Sequence, residues 1–168
     1  MPASLPPHRR KRSKSVSTVI LLPGASVTHS SLTVLLGDSI TEITCWRPLV
    51  WTQLVTAGLA SNVDFVGSQH SVPSNCSKPA GFDTDHEGHS GWQAYDIARN
   101  NIVGWVQNTK PDVVQFMLGT NDVNIGKRNV GAVTDAYTTM LKAMRAANPK
   151  VKVVVSILAA GKGTKYVR

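Results

Sequence analysis

The sequence predicts an α/β fold, a three-layer α/β/α sandwich around a mainly parallel sheet. Short apolar runs alternate along the chain with segments of helical periodicity, and the last run, 151–158, is apolar almost throughout. Strands that alternate with helices are joined by right-handed crossovers, and parallel strands covered on both faces have this continuous apolar composition. A length of 168 residues with 42% hydrophobic content fits one domain with a substantial core.

The elements are predicted from this pattern in chain order. Residues 1–30 carry proline, serine and charge without periodicity, and we expect them to be disordered or to form a poor signal-like segment. Residues 68–91 are rich in Ser, Pro, Gly and Asp, as are long loops that carry function. The periodic segments give strands at 32–36, 63–67, 113–118 and 151–158, and helices at 47–58, 93–109 and 130–148.

The formal charge of +8 does not indicate a nucleic-acid-binding face. Of the 18 basic residues, five lie in the first fourteen positions and three in the last seven. The other ten balance the ten acidic residues, so the body of the chain is formally neutral. No apolar run is long enough to cross a bilayer. We therefore expect neither nucleic acid nor a membrane as a partner, and the oligomeric state stays open.

The stretch 35–42, with the sequence LLGDSITE, contains a candidate nucleophile. A buried strand stops at Gly37, and a glycine lets the chain turn sharply, so that Ser39 can expose its hydroxyl at the carboxyl edge of the sheet. The simpler alternative is that Asp38 and Ser39 only cap the following helix. Two further small-residue loops, at 87–92 and 118–122, favour the functional interpretation, and the second directly follows a strand.

Taken in order, these loops resemble the conserved blocks of the SGNH or GDSL hydrolases: Gly37-Asp38-Ser39, the loop glycine Gly91, and Gly119-Thr120-Asn121-Asp122. The amino-acid sequences of segments 37–42, 45–47 and 87–92 resemble more specifically those of secreted fungal carbohydrate esterases of family three, the acetyl xylan esterases. The resemblance covers about residues 34–155. It implies a flavodoxin-like strand order, esterase activity on an acetylated carbohydrate or other small ester, no cofactor or metal, and secretion.

The predicted catalytic residues are Ser39, Gly91 and Asn121. Ser39 is the candidate nucleophile, and the backbone N–H groups of Ser39 and Gly91 and the side-chain amide of Asn121 are the candidate oxyanion donors. We expect Gly91 to open a helix whose N-terminus adds positive potential. An amide at Asn121 donates without carrying charge. Loop capping for Asn121 and a plain turn for Gly91 are the simpler alternatives.

The catalytic base is the point at which the chain departs from the family. SGNH hydrolases take it from an Asp-x-x-His block near the C-terminus, whereas no histidine follows His89 here. Asp83-Thr84-Asp85-His86 has that spacing but precedes Gly91, so it does not match the family position. We expect His89 to shape the loop in front of Gly91. We also expect an incomplete hydrolase domain at 31–158, without the last strand and helix, an exposed apolar flank of the sheet, and a non-family tail at 159–168.

Other polar residues of these loops have predicted structural roles. Asp38 is expected to hold Ser39 in place through backbone N–H groups, and Asp122 to brace the third loop in the same way. Neither is expected to act as an acid or base. Arg47 is expected to bond loop carbonyls or carboxylates.

Tryptophan and cysteine leave alternatives open. Trp46, Trp51 and Trp92 could form a sugar-stacking wall, although core packing is favoured for Trp51 and both roles stay open for Trp92. Cys45 and Cys76 are either free thiols or a disulfide that ties the first helix to the long loop, as secretion would permit.

Two rival functions accompany the esterase hypothesis. The chain could be a catalytically inactive carbohydrate-binding remnant that keeps only the crevice. A nucleotide-binding flavodoxin-like domain is disfavoured, because the first loop lacks a phosphate-cradling glycine pattern and a P-loop lysine. If the chain is an enzyme, a serine without its base predicts slow hydrolysis.

Overall fold

The computed structural model describes residues 30–156. The expectations for 1–29 and 157–168, including the tail and the end of the last predicted strand, lie outside the described residues. Within the described part the elements are β1 (Ser31–Gly37), α1 (Ser39–Ile43), α2 (Trp46–Thr56), a 3₁₀ turn (Ala60–Asn62), β2 (Val63–Val66), β3 (Glu87–Gly88), α3 (Ala94–Asn100), α4 (Ile102–Thr109), β4 (Val113–Met117), α5 (Thr120–Asn124), α6 (Val130–Ala147) and β5 (Lys152–Val155).

All strand pairs of the sheet are parallel within the described residues. The order is β2-β1-β4-β5, and the two-residue β3 also pairs with β1, beyond the part of β1 that β2 covers. The first strand thus lies between the second and the next long strand, as in the flavodoxin-like order, and this prediction is confirmed.

Two apolar clusters cover the two faces of the sheet. Successive strand residues point to opposite faces, so Val34 and Leu36 of β1 lie in one cluster and Leu35 lies in the other. The first cluster contains buried residues of α3, α4 and α6, and the second contains Trp51 and Leu54 of α2. The predicted three-layer α/β/α sandwich is therefore confirmed.

The helix predicted at 93–109 is wrong in one respect, because it is two helices. α3 ends at Asn100, and Asn101 has φ −126° and ψ −43° before α4 begins. Two consecutive asparagines favour a break, since the asparagine side chain competes for backbone hydrogen bonds. The spacing of apolar residues nevertheless continues across the break, and Ile97 and Ile102 are both buried. Because of this continuity, the sequence pattern does not reveal the break. The short elements α1, β3 and α5 were not predicted either.

Among the described strands, β5 lies at the edge of the sheet. Val154 and Val155 are 44% and 41% exposed. The expected apolar flank is therefore present in this part of the chain. No helix between residues 30 and 156 combines the length and apolar character that crossing a bilayer requires.

Candidate active site

Ser39 is the first residue of α1 and is half-buried at the carboxyl end of β1. The N-cap Asp38 is 1% exposed, and its Oδ1 accepts a hydrogen bond from the Ile40 N–H at 2.9 Å. The Asp38 carbonyl also accepts from the N–H groups of Thr41 and Glu42, each at 3.0 Å. Burial raises the pKa of Asp38, against the lowering effect of the bond from the Ile40 N–H. Asp38 thus fixes the turn that presents Ser39, as predicted.

A glycine is required at position 37 because neighbouring atoms lie too close for a Cβ, and not because the backbone has an unusual angle. A Cβ at this position would overlap the Thr41 side chain and lie 3.2 Å from the Met117 carbonyl oxygen. Its φ is not among the positive values, so the expected role of conformational freedom at this turn is wrong. The missing side chain lets α1 pack directly over the end of β1.

The second loop is bonded to the Ser39 turn at two points. The His89 N–H donates to the Gly37 carbonyl at 3.0 Å, and the Ser90 N–H donates to Glu42 Oε2 at 2.6 Å. Hydrogen bonding from Ser90 lowers the pKa of Glu42. A Cβ on Gly88 would lie 2.8 Å from the Glu42 nitrogen, so the loop backbone packs directly on α1.

Gly91 lies in a turn and does not open a helix, which corrects that expectation. Its φ is +83°, in the region that favours glycine, and a Cβ there would meet nothing within 4 Å. The Trp92 N–H donates to the His89 carbonyl at 3.2 Å, and α3 begins only at Ala94. The left-handed turn therefore explains this glycine better than a helix start does.

Asp122 caps the helix that follows Gly91. It is 0% exposed, and its two carboxylate oxygens accept from the N–H groups of Ala94 at 2.8 Å and Tyr95 at 3.0 Å. Asp122 braces the third loop through backbone N–H groups, as expected, and these groups belong to α3, so its carboxylate joins the third loop to α3. The N-terminus of α3, the positive end of its helix dipole, therefore faces this carboxylate. It leaves no uncompensated positive electrostatic potential for a substrate.

Asn121 lies on α5, four residues beyond the end of β4 and two beyond the left-handed Gly119. Its Nδ2 donates to the Trp92 carbonyl oxygen at 3.0 Å. A side-chain amide has two N–H groups, and within residues 30–156 the second has no protein acceptor. Asn121 therefore ties the third loop to the second and keeps one donor free, so both roles considered for it are compatible with the contacts.

The three loops meet at one edge of the sheet. Gly37 pairs in register with Gly88 of β3 on one side and with Met117 of β4 on the other, so three neighbouring strands end at the same level. A serine hydroxyl beside preorganised N–H donors is the arrangement that acyl transfer uses. The assignment of Ser39, Gly91 and Asn121 as the catalytic set stays a prediction.

His86 is occupied by structural contacts. It is 0% exposed, its Nδ1 accepts from the Gly88 N–H at 3.0 Å, and its Nε2 lies 3.1 Å from Ser71 Oγ. Because Nδ1 accepts a hydrogen bond, we assign the ring proton to Nε2, which donates to Ser71. Burial and the nearby charge of Arg47 lower the pKa of His86 to about 4. Both ring nitrogens are engaged, so this histidine is unsuited to act as a base.

The Asp83–His86 spacing does not produce a pair. The Asp83 carboxylate accepts from the backbone N–H groups of Phe65 at 2.7 Å and Asp85 at 3.2 Å. The Asp–His contact that forms nearby joins Asp85 to His70 Nδ1 at 2.7 Å, with the His70 side chain 64% exposed. An exposed pair of this kind contributes little stability.

His89 and Glu87 form a contact that the sequence analysis missed. His89 Nε2 lies 2.6 Å from Glu87 Oε1, and Glu87 also accepts from the Ser68 N–H at 2.9 Å and the Ser68 hydroxyl at 2.6 Å. Burial raises the pKa of Glu87, but the bonds from His89 and Ser68 outweigh this effect and lower it. The expectation that His89 shapes the loop before Gly91 is confirmed. The sequence feature that could have identified the partner of His89 is a glutamate, Glu87, within a loop of small residues.

The long loop between β2 and β3 is anchored to α1 and α2. A disulfide joins Cys45 to Cys76, with a Cα–Cα distance of 5.3 Å, so the disulfide alternative is confirmed. Arg47 is 1% exposed, and burial lowers its pKa to about 10. Its guanidinium donates to backbone carbonyls alone, those of Thr41, Glu42, Ser71 and Thr84. Of the two partner types expected for Arg47, the structure shows carbonyls.

The tryptophans have different environments. Trp51 is 7% exposed and packs edge-on against Phe65 and Phe82, which confirms its core role. Trp92 is 38% exposed. Among residues 30–156, no three His, Cys, Asp or Glu side chains are grouped so that they could hold a metal ion.

Comparison with known proteins adds a family relationship to this geometry. The model of the GDSL-like lipase/acylhydrolase family matches residues 35–167. No curated protein gives a significant match. The chain is similar to the crystal structure of a carbohydrate esterase family 3 protein from Talaromyces cellulolyticus, with 74% identity and a TM-score of 0.74 over 74% of this chain and 60% of that one.

Two further solved structures show the same extent of similarity. One is an acetyl esterase mutant with acetate ion, with 73% identity and a TM-score of 0.74 over 74% of this chain and 60% of that one. The other is a family 3 carbohydrate esterase from Clostridium thermocellum, with 32% identity and a TM-score of 0.60 over 75% and 60% of the two chains. The chain thus spans about 60% of the length of each of these three structures.

Proposed function

The chain belongs to the GDSL-like lipase/acylhydrolase family, and on that premise we propose that it is a serine esterase that removes acetyl groups from an acetylated polysaccharide such as xylan. Support comes from two similar structures, one described as a carbohydrate esterase family 3 protein and one as an acetyl esterase with acetate ion. Since the chain spans 60% of each, the activity is a proposal for this chain.

The observation that carries the proposal is the convergence of three loops. Gly37, Gly88 and Met117 lie side by side at the ends of their strands, and hydrogen bonds join each loop to the next. Ser39 Oγ attacks the ester carbonyl, and the N–H groups of Ser39, Gly91 and Asn121 Nδ2 donate to the resulting oxyanion. Because His86 and His89 are engaged elsewhere, solvent water carries the Ser39 proton to the departing sugar oxygen in this chain. Water then hydrolyses the acetyl-serine and releases acetate.

Slow turnover of this chain is part of the proposal. His86 has both ring nitrogens engaged, His89 is bonded to Glu87, and no histidine follows His89 in these 168 residues. A serine without its base loses most of its rate, so hydrolysis several orders of magnitude below that of a family member with the Asp-x-x-His block is expected.

Secretion is also proposed for this protein. The Cys45–Cys76 disulfide supports it, because disulfides persist in oxidising compartments.

An inactive carbohydrate-binding protein is the second candidate. The engagement of His86 and His89 favours it, because within residues 30–156 these two side chains are committed to other contacts. It differs from the first candidate in predicting sugar binding without any Ser39-dependent turnover.

Hydrolysis of an aryl acetate tests the two candidates. The esterase proposal predicts slow turnover that disappears in Ser39→Ala and persists in Ser77→Ala, a control in the exposed part of the long loop. Turnover that is equal in wild type and Ser39→Ala would contradict the proposal. Absent turnover with retained sugar binding would support the second candidate, and rapid Ser39-dependent turnover would contradict the proposed impairment.

A further inference from the structure

The indole of Trp92 is exposed to solvent and backed by other aromatic rings. Its centroid lies 4.4 Å from that of His89 and 5.8 Å from that of Trp105, with each pair of planes inclined by 22°. The His89 and Trp105 rings lie 5.0 Å apart and are inclined by 3°. Trp92 nevertheless keeps 38% of its surface exposed, while Trp51 in the core keeps 7%.

The backing rings are themselves held in place. His89 Nε2 is 2.6 Å from Glu87, with side-chain exposures of 11% and 3%, and Ser68 donates two further hydrogen bonds to this carboxylate. Trp105 packs against the apolar cluster on the α3–α4–α6 face. A ligand that packs on Trp92 therefore meets a surface that is already ordered, and little side-chain entropy is lost on binding.

Trp92 also lies beside the proposed acyl site. It follows Gly91 directly, and its carbonyl oxygen accepts from Asn121 Nδ2 at 3.0 Å. The preceding His89 N–H is bonded to the Gly37 carbonyl, two residues before Ser39. Trp92 thus adjoins two proposed oxyanion donors, Gly91 in sequence and Asn121 through a hydrogen bond, and carries an exposed aromatic ring.

We propose that Trp92 forms the floor of a sugar-binding subsite, on which the C–H face of a pyranose ring of the substrate packs. A neutral pyranose offers an apolar face to the indole and keeps its hydroxyl groups in water, which suits a half-exposed ring. This inference rests on the proposed carbohydrate-esterase function and deepens it. Esters of simple alcohols gain nothing from this subsite.

Binding of unacetylated xylohexaose, measured by isothermal titration calorimetry on the 168-residue chain, tests the subsite without any catalytic step. Trp92→Ala is expected to weaken binding about tenfold, whereas Trp92→Phe keeps a ring and is expected to stay within about threefold of wild type. Val103→Ala removes another exposed apolar side chain, 51% exposed on α4, and serves as the matched control.

Two results would overturn the subsite: no xylohexaose binding by wild type, or equal binding by wild type and Trp92→Ala. Thermal unfolding of each variant shows whether it is folded, and Trp92→Phe covers the case in which the alanine variant is not. Because sugar binding at Trp92 does not require Ser39, the binding result can be interpreted even if the esterase proposal fails. Ser39-dependent hydrolysis without Trp92-dependent binding would reject the subsite alone.

Discussion

The Ser90 N–H donates to the Glu42 carboxylate at 2.6 Å, across 48 positions of sequence. This bond joins α1, which begins at Ser39, to the loop that carries Gly91. With the His89–Gly37 backbone bond, this charged contact aligns the turn of the proposed nucleophile with the loop of one proposed oxyanion donor, so its removal measures its own share of that alignment.

Substitution of Glu42 tests this contact. Glu42→Ala is expected to lower the free energy of unfolding by about 1 kcal/mol, below the range of about 1.5–3 kcal/mol for a charged acceptor, because the side chain is partly solvated. Glu42→Gln keeps an acceptor and should lose less. Urea unfolding measures both, with Asp135→Ala on the exposed face of α6 as control. An unchanged stability of Glu42→Ala would show that the bond contributes nothing.

The same bond predicts a pH dependence. The folded-state pKa of Glu42 lies below its ordinary value of 4.5, so its contribution is complete above that pH and is lost as pH falls through the lowered pKa. The stability difference between wild type and Glu42→Gln should therefore shrink below about pH 4.5. A difference that grows on acidification would have the wrong sign.

His86 predicts a second pH effect. Its pKa is lowered from 6.5 to about 4, so between these values the unfolded chain binds a proton that the folded chain does not. Stability from this group is complete above 6.5 and falls by up to about 1.4 kcal/mol per pH unit as pH decreases toward 4. His86→Gln should flatten this slope, and His70→Gln, at an exposed position, should not.

An NMR titration of the imidazole protons covers the case in which His86→Gln does not fold. The His86 ring should stay neutral at pH 6 in the folded protein. A midpoint for His86 near the ordinary 6.5 would contradict the burial argument.

Gly91 and Gly81 provide a matched pair of substitutions. Their φ values are +83° and +66°, and a Cβ at either would meet nothing within 4 Å. Each alanine variant should lose about 1–2 kcal/mol of stability through backbone strain. Only Gly91→Ala should also slow the residual hydrolysis of an aryl acetate, by about tenfold or more, because strain in its left-handed turn shifts an N–H that is a proposed oxyanion donor. Equal loss of rate in both variants would show that strain alone matters.

The disulfide predicts a defined loss of stability on reduction. Cys45 and Cys76 are separated by 31 positions, and opening such a loop costs about 3–4 kcal/mol in the chain-entropy model. Urea unfolding with and without a thiol reductant measures the loss, and the double variant Cys45→Ala/Cys76→Ala should match the reduced protein. Alkylation of both cysteines without reduction would contradict the bond.

The strand order and both apolar faces could be predicted because each β1 residue points to a defined face. Val34, Leu35 and Leu36 are all buried, which only a strand covered on both sides allows. The break at Asn101 could not be predicted from apolar spacing, since Ile97 and Ile102 stay on one face.

The loop positions of the site could be predicted, but most of their contacts could not. Ser39, Gly91 and Asn121 follow strands or small-residue runs, which the sequence displays directly. The partners of Asp122 and Glu42 lie 28 and 48 positions away, and no local pattern encodes such distances. Spacing alone also suggested Asp83 for His86, whereas tertiary contacts give each of them other partners.

The most direct test of the proposed nucleophile is the rate at which an aryl acetate acetylates Ser39, followed by peptide mass spectrometry. The account predicts label at Ser39 in wild type, none in Ser39→Ala, and acetylation slowed about 10²-fold in Asn121→Ala, which lacks one oxyanion donor. Label that spreads over lysines alone, or an equal rate at Ser39 in wild type and Asn121→Ala, would contradict it.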